Sequence, residues 1–247
     1  MTPITRDDEE LFGTVVMAAL DRAGPIVSRL RERYEHEWDD PRAGFPYALS
    51  MLALVQSGRT DLRRLNFTEV VETLSDLLYH EPDHWLGRYL RIHIRTLLPA
   101  DPARHHDRAR TIAAERFGAT EDVAELAEGY VTAERARAAQ DAAELIDRQA
   151  TTAWRPWFAC TYLLAARLAW EAGDPDRVPA LVSAAAIRPG APIRFRALGG
   201  LLCEAFVWYH NRPDLPERDT VGAVMDALFA DQPAVRRVRR VRKARSA

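Results

Sequence analysis

The stretch YLLAARLAWEAGDPDRVPALVSAAAIRP, Tyr162–Pro189, decides how the chain is read. Apolar residues recur there at three- and four-residue intervals on both sides of Gly173-Asp174, the spacing of two amphipathic helices joined by a tight turn. Gly173 suits the left-handed backbone that ends a helix, and Asp174 is placed to cap the next one. Ala165, Ala166 and Ala185 are small enough to let two helix backbones approach where they cross.

Outward from this unit a weak period emerges. Phe67 to Pro82 reads as the second helix of a similar unit with its closing proline. Pro82 and Pro189 lie 107 residues apart, close to three lengths of about 34 residues. Gly118 and Ala153-Trp154 fall near the two intermediate boundaries, while Ser57–Asn66 looks like an insertion. In its Gly-Asp turn, its small crossing residues and its closing proline, Tyr162–Pro189 resembles one unit of a tetratricopeptide-type helical repeat. The match is specific for that unit and partial for Phe67–Pro82. The middle units lack the Trp/Leu/Gly/Tyr signature, and Pro189 arrives about one residue early. The resemblance implies antiparallel helix pairs stacked as a short array, with inner helices lining a groove that binds a polypeptide. The alternative is a non-repeating helical bundle.

Composition agrees with an all-α chain. Ala, Leu, Arg and Glu dominate the 247 residues, and no segment alternates Val, Ile and Thr in the manner of a strand. No apolar run reaches the ~18 residues of a membrane span. The start, MTPITRDDEELFG, lacks the basic and apolar regions of a secretion signal. Cys160 and Cys203, the two cysteines, fall on apolar helix faces, so a reduced, buried pair in a cytoplasmic protein is expected. A disulfide between them stays open at this point.

The charge is uneven. Residues 234–247 hold seven cations and no acid, among them Arg236, Arg237, Arg239 and Arg240. The other 233 residues hold 27 basic against 36 acidic side chains, a poor match for nucleic acid. The expected organisation is one helical-repeat-like domain over 1–233 and a basic tail over 234–247. Only the tail suits an anionic partner.

About eleven helices are expected. Thr5 caps the first, from about Asp7 to Arg22, and Gly24-Pro25 separates it from a second carrying Ile26, Leu30, Tyr34 and Trp38. Pro46 opens a third that ends at Gly58. Asn66 caps a fourth that buries Val70, Leu74 and Leu77. Asp83 caps a helix over 83–98 with Trp85, Tyr89 and His93 on one side and Arg88, Arg91 and Arg95 on the other. A shorter helix follows Asp101-Pro102. Thr120 caps a segment reaching about Gln149, either one helix or two with a bend near Gly129. Ala191-Pro192 opens an apolar helix, and a last one starts at Asp219.

Recognisable catalytic patterns are missing from this list. The sequence has no Gly-x-Ser-x-Gly elbow and no Gly-rich phosphate loop. Two carboxylate–histidine pairs, Glu32/His36 and Asp76/His80, have the one-turn spacing of helical di-metal sites, and they support a helical-bundle enzyme as an alternative. The expected partner site is instead a cationic and aromatic groove made by Arg88, Arg91, Arg95, Trp157, Arg194 and Arg196. No cofactor is expected. A third reading is a regulator whose tail contacts nucleic acid.

Overall fold

Thr5 starts the first helix as its spacing predicts. Its hydroxyl accepts from the Asp8 amide at 3.1 Å, and Asp8 Oδ2 accepts in return from the Thr5 amide at 2.9 Å. This reciprocal box satisfies two amides that have no partner inside the helix. The computed structural model describes residues 3–37, 40, 42–57, 67–97, 123–186, 192–230 and 232. Among these are ten α-helices and no strand: α1 (Arg6–His36), α2 (Gly44–Ser57), α3 (Phe67–His80), α4 (Trp85–Thr96), α5 (Val123–Ala150), α6 (Phe158–Glu171), α7 (Val178–Ala186), α8 (Gly199–Leu202), α9 (Glu204–His210) and α10 (Arg218–Phe229). A 3-10 turn, Pro175–Arg177, precedes α7.

Each helix packs on the next in the chain from α1 to α7. Then α9 returns to α6, and α10 closes against α9 and α7. One apolar core, from Ile4 to Phe229, runs through all of them. Leu49, Leu52, Leu74 and Leu77 are fully buried, each contributing about 1.5–3 kcal/mol by leaving water. None of the described helices is long and apolar enough to cross a membrane.

The opening unit forms a helical hairpin. Gly173 has φ 77°, its amide reaches the Trp170 carbonyl at 3.1 Å, and the Asp174 amide reaches the Ala169 carbonyl at 2.9 Å. These two bonds define a Schellman C-cap, and the left-handed glycine makes it accessible. Asp174 does not cap the following helix with its side chain. Pro175 comes first in the 3-10 turn and has no amide to offer it.

Other boundaries also moved. α1 runs through Gly24-Pro25 as one helix of 31 residues. An interior proline costs about 3 kcal/mol, and packing on both sides opposes that cost: Phe12 and Val15 upstream are buried, Val27 and Leu30 downstream half-buried. From Val123 onward the segment read as 120–149 is one unbroken helix, with Gly129 exposed and nothing within 4 Å of where its Cβ would lie. His84, not Asp83, caps α4, its Nδ1 accepting from the Gly87 amide at 2.9 Å. The expected helix after Pro192 does not form at once: residues 192–195 have no regular secondary structure and 196–198 turn before α8 begins. The Asn66 and Thr120 caps, the 101–118 helix, Trp38, Pro189 and the tail lie outside the described residues.

Neither cysteine forms a disulfide and both are buried, Cys160 in α6 and Cys203 between α8 and α9. Burial pushes the Cys160 thiol well up, with the neighbouring Cys203 adding to the effect.

Candidate functional site

Two groups of arginines behave differently. Arg88, Arg91 and Arg95 follow one another at three and four residues along α4, and α5 carries Glu134, Asp141 and Glu144 opposite them. The helices run antiparallel, so the first arginine meets the last acid. Arg95 Nε donates to Glu134 Oε2 at 2.9 Å and its Nη1 to Asp141 Oδ2 at 2.5 Å. Arg91 forms a two-pronged pair with Asp141, at 3.0 and 3.1 Å. Arg88 donates from Nε to the Pro82 carbonyl at 2.5 Å, with Glu144 at 3.8 Å. Burial, then the charges of Arg148 and Arg91, pull the Arg88 pKa down from its ordinary value.

These three arginines therefore do not line an open groove. Arg88 and Arg95 are buried and Arg91 is half-buried, and the acidic surface they meet is the chain's own α5. The network continues inward. Arg135 and Arg167 share the Glu171 carboxylate, and Arg167 Nη2 donates to the Thr96 carbonyl at the end of α4 at 2.6 Å. Arg167 and Arg212 each sit over the Trp208 ring, at 5.2 and 4.9 Å from its centroid. The guanidinium fork suits such buried, two-pronged work, which an ammonium performs less well.

Trp157 meets the segment that carries Arg194 and Arg196, through Phe195 between them. Trp157 begins α6, and its ring packs on Phe195 with centroids 5.3 Å apart and planes at 67°. Phe195 lies in this non-helical segment, where exposure alternates with period two: Ile193 buried, Arg194 exposed, Phe195 half-buried, Arg196 exposed. Arg155, two residues before Trp157, is exposed as well. The result is a half-buried aromatic pair whose neighbours along the chain include three exposed cations. Among the described residues, none of these three arginines makes an ion pair.

Long-range bonds hold the segment in this form. The Ile193 amide donates to the Leu228 carbonyl at 3.0 Å, and Gln232 Nε2 donates to the Ile193 carbonyl. Glu9, in the first turn of α1, accepts from the amides of Ala197 and, at 3.1 Å, Leu198. Burial raises the pKa of Glu9, and those two amides oppose the rise. Sequence reading missed Phe195, Arg155 and the Glu9 clamp. The alternation over 193–196 was a signal for the first, but Glu9 lies 188 residues from Ala197 and no local pattern joins them.

Trp157 also carries an unsatisfied donor. Its indole N–H is buried and has no acceptor among the described residues, and the same holds for Trp85, whose ring centroid is 6.3 Å from that of Trp157. An amide-like donor left buried in this way costs about 1–3 kcal/mol.

The carboxylate–histidine alternative is not assembled. His36 Nδ1 contacts the Glu32 carbonyl at 2.6 Å rather than its carboxylate. Asp76 accepts from the Tyr34 hydroxyl at 2.7 Å, and His80 is exposed beside Tyr79. Among the described residues no three His, Cys, Asp or Glu side chains are grouped to hold a metal ion. Glu32/His36 and Asp76/His80 fail because one-turn spacing on a helix does not by itself bring two helices' ligands to a common point. No protein-family model, curated protein or solved structure matches the chain.

Proposed function

We propose that the protein is a non-catalytic adaptor or scaffold that binds a polypeptide partner, and that the partner contacts Trp157, Phe195, Arg155, Arg194 and Arg196. The observation that carries this reading is the pairing of exposed Arg194 and Arg196 around Phe195, with Phe195 packed on Trp157. Aromatic rings and arginine are the residue types that dominate binding energy at protein interfaces. Arg88, Arg91 and Arg95 leave the proposed contact surface, since α5 occupies them. Stacking of each helix on its chain neighbour supports the tetratricopeptide-like arrangement as part of the same reading. Two free, buried thiols fit a cytoplasmic setting.

Three exposed cations, without an ion pair among the described residues, select an acidic partner. Peptide display against the immobilised protein is expected to enrich sequences rich in Asp and Glu with an aromatic or aliphatic residue among them. The double variant R194E/R196E reverses the local charge at two exposed positions and is expected to lose that enrichment while keeping its helical circular dichroism. Enrichment of the same acidic peptides by both proteins would remove this surface from consideration.

A further inference from the structure

The run 192–198 has no helix or strand of its own, yet it is held at both ends by groups from distant elements. At its entrance, the Ile193 amide donates to the Leu228 carbonyl at 3.0 Å, and the Gln232 side-chain amide donates to the Ile193 carbonyl. At its exit, the two carboxylate oxygens of Glu9 accept from the amides of Ala197 and, at 3.1 Å, Leu198. A glycine makes room beside each pin. A methyl group at Gly13, one turn after Glu9 on α1, would stand 3.3 Å from the Ala197 Cβ, and one at Gly199 would stand 3.0 Å from Gln232 Oε1. Between the pins, Ile193 is buried and Phe195 packs on Trp157, while Arg194 and Arg196 are exposed to solvent.

We infer that Glu9 and Gln232 are positioning residues: they fix the backbone of 193–198 before a partner arrives, and so set how Arg194 and Arg196 are offered to an acidic peptide. This rests on the binding surface proposed above and adds to it the groups that control its shape. A loop that must become ordered on contact opposes binding through lost entropy, and a loop already ordered avoids that cost. Glu9 acts here through geometry and against its own charge. It lies against the residue that follows Arg196, where an anion repels an acidic peptide. Removing that charge without loss of position strengthens binding, whereas loss of position weakens it, so the two effects have opposite signs. Glutamine keeps the size of glutamate but has one acceptor oxygen in place of two, and its amide group faces the second backbone donor with another donor.

Capped tetraglutamate is the probe, and its binding is followed by the shifts of the 194–196 amides in a nitrogen–proton correlation spectrum. Glu9→Gln and Gln232→Ala are each expected to bind it roughly fivefold more weakly than the native chain, the first despite losing a negative charge, the second with no change of charge. Hydrogen exchange at the Ala197 and Leu198 amides is expected to quicken in Glu9→Gln, while the amides of α4 and α5 keep their protection and show that the fold is intact. Unchanged or tighter binding by either variant overturns the inference for that residue and leaves the surface standing. Exchange at 197 and 198 that does not quicken in Glu9→Gln overturns it for Glu9, since no carboxylate clamp would then hold those amides. R194E/R196E, measured beside them, tests the surface itself. Undiminished tetraglutamate binding by that variant, or no shift at 194–196 in the native chain, overturns both.

Discussion

Replacing Glu134 with alanine is expected to lower the unfolding free energy by about 3 kcal/mol, the lower part of the range for a broken buried ion pair. Glu134 and Arg95 are both buried, and Arg95 Nε donates to Glu134 at 2.9 Å. Removing the acid leaves a guanidinium in the interior with less to balance it. Asp141 still reaches Arg95 at 2.5 Å, which holds the cost below the upper end. Arg137, the other cation on Glu134, is mostly exposed and turns back to water. The companion change separates the charge from the shape. Arg95→Met with Glu134→Leu replaces the pair by apolar side chains, and such exchanges are commonly neutral or stabilising. Urea unfolding checks both. A loss below 1 kcal/mol for Glu134→Ala would mean that Glu134 and Arg95 are not a buried pair.

Trp85→Ala is expected to cost about 3–5 kcal/mol. The ring is 1% exposed, lies 5.0 Å from Tyr89 in a stacked arrangement and touches Trp157 and Phe158. Losing it opens a large cavity where α4 meets α6. Trp85→Phe is expected to cost far less than its lost area suggests. That variant also deletes an indole N–H that has no acceptor among the described residues, and removing an unsatisfied buried donor returns part of its desolvation cost. Thermal unfolding of the two variants side by side provides the check. A phenylalanine variant as unstable as the alanine variant would show that the Trp85 N–H is satisfied in the folded protein.

The helices were legible because their signals are local. Thr5 with Asp8, Gly173 at the hairpin turn, and the apolar spacing of Val70, Leu74 and Leu77 each lie within a few residues of the feature they produce. Three failures share the opposite property. The segment after Pro192 has the composition of a helix, yet Leu228, Gln232 and Glu9 take its backbone groups from far along the chain. His84 displaced Asp83 as a cap because it packs edge-on against Phe45, with Asp8 3.7 Å away. Arg88, Arg91 and Arg95 looked like an open cationic strip because their partners are about forty to fifty positions downstream. Antiparallel packing of α4 on α5 sets Arg95 against Glu134 and Asp141, Arg91 against Asp141, and Arg88 near Glu144. On the site, Trp157, Arg194 and Arg196 were legible as residue types suited to a partner, but the contact that links them, Phe195 on Trp157, depends on a non-helical segment that local spacing did not reveal.

The two buried cysteines give the fold an internal clock. Cys160 and Cys203 are 0% exposed, and a thiol reacts as its thiolate, which burial at Cys160 strongly disfavours. An alkylating reagent therefore reads the moments when the α6–α9 region opens, not the resting molecule. Where reclosing is faster than modification, the labelling rate reports the free energy of that opening. A ligand that binds only the closed form slows labelling at both positions. The native chain thus carries its own reporters for partner binding, on α6 and beside α9, without an added dye or an engineered residue.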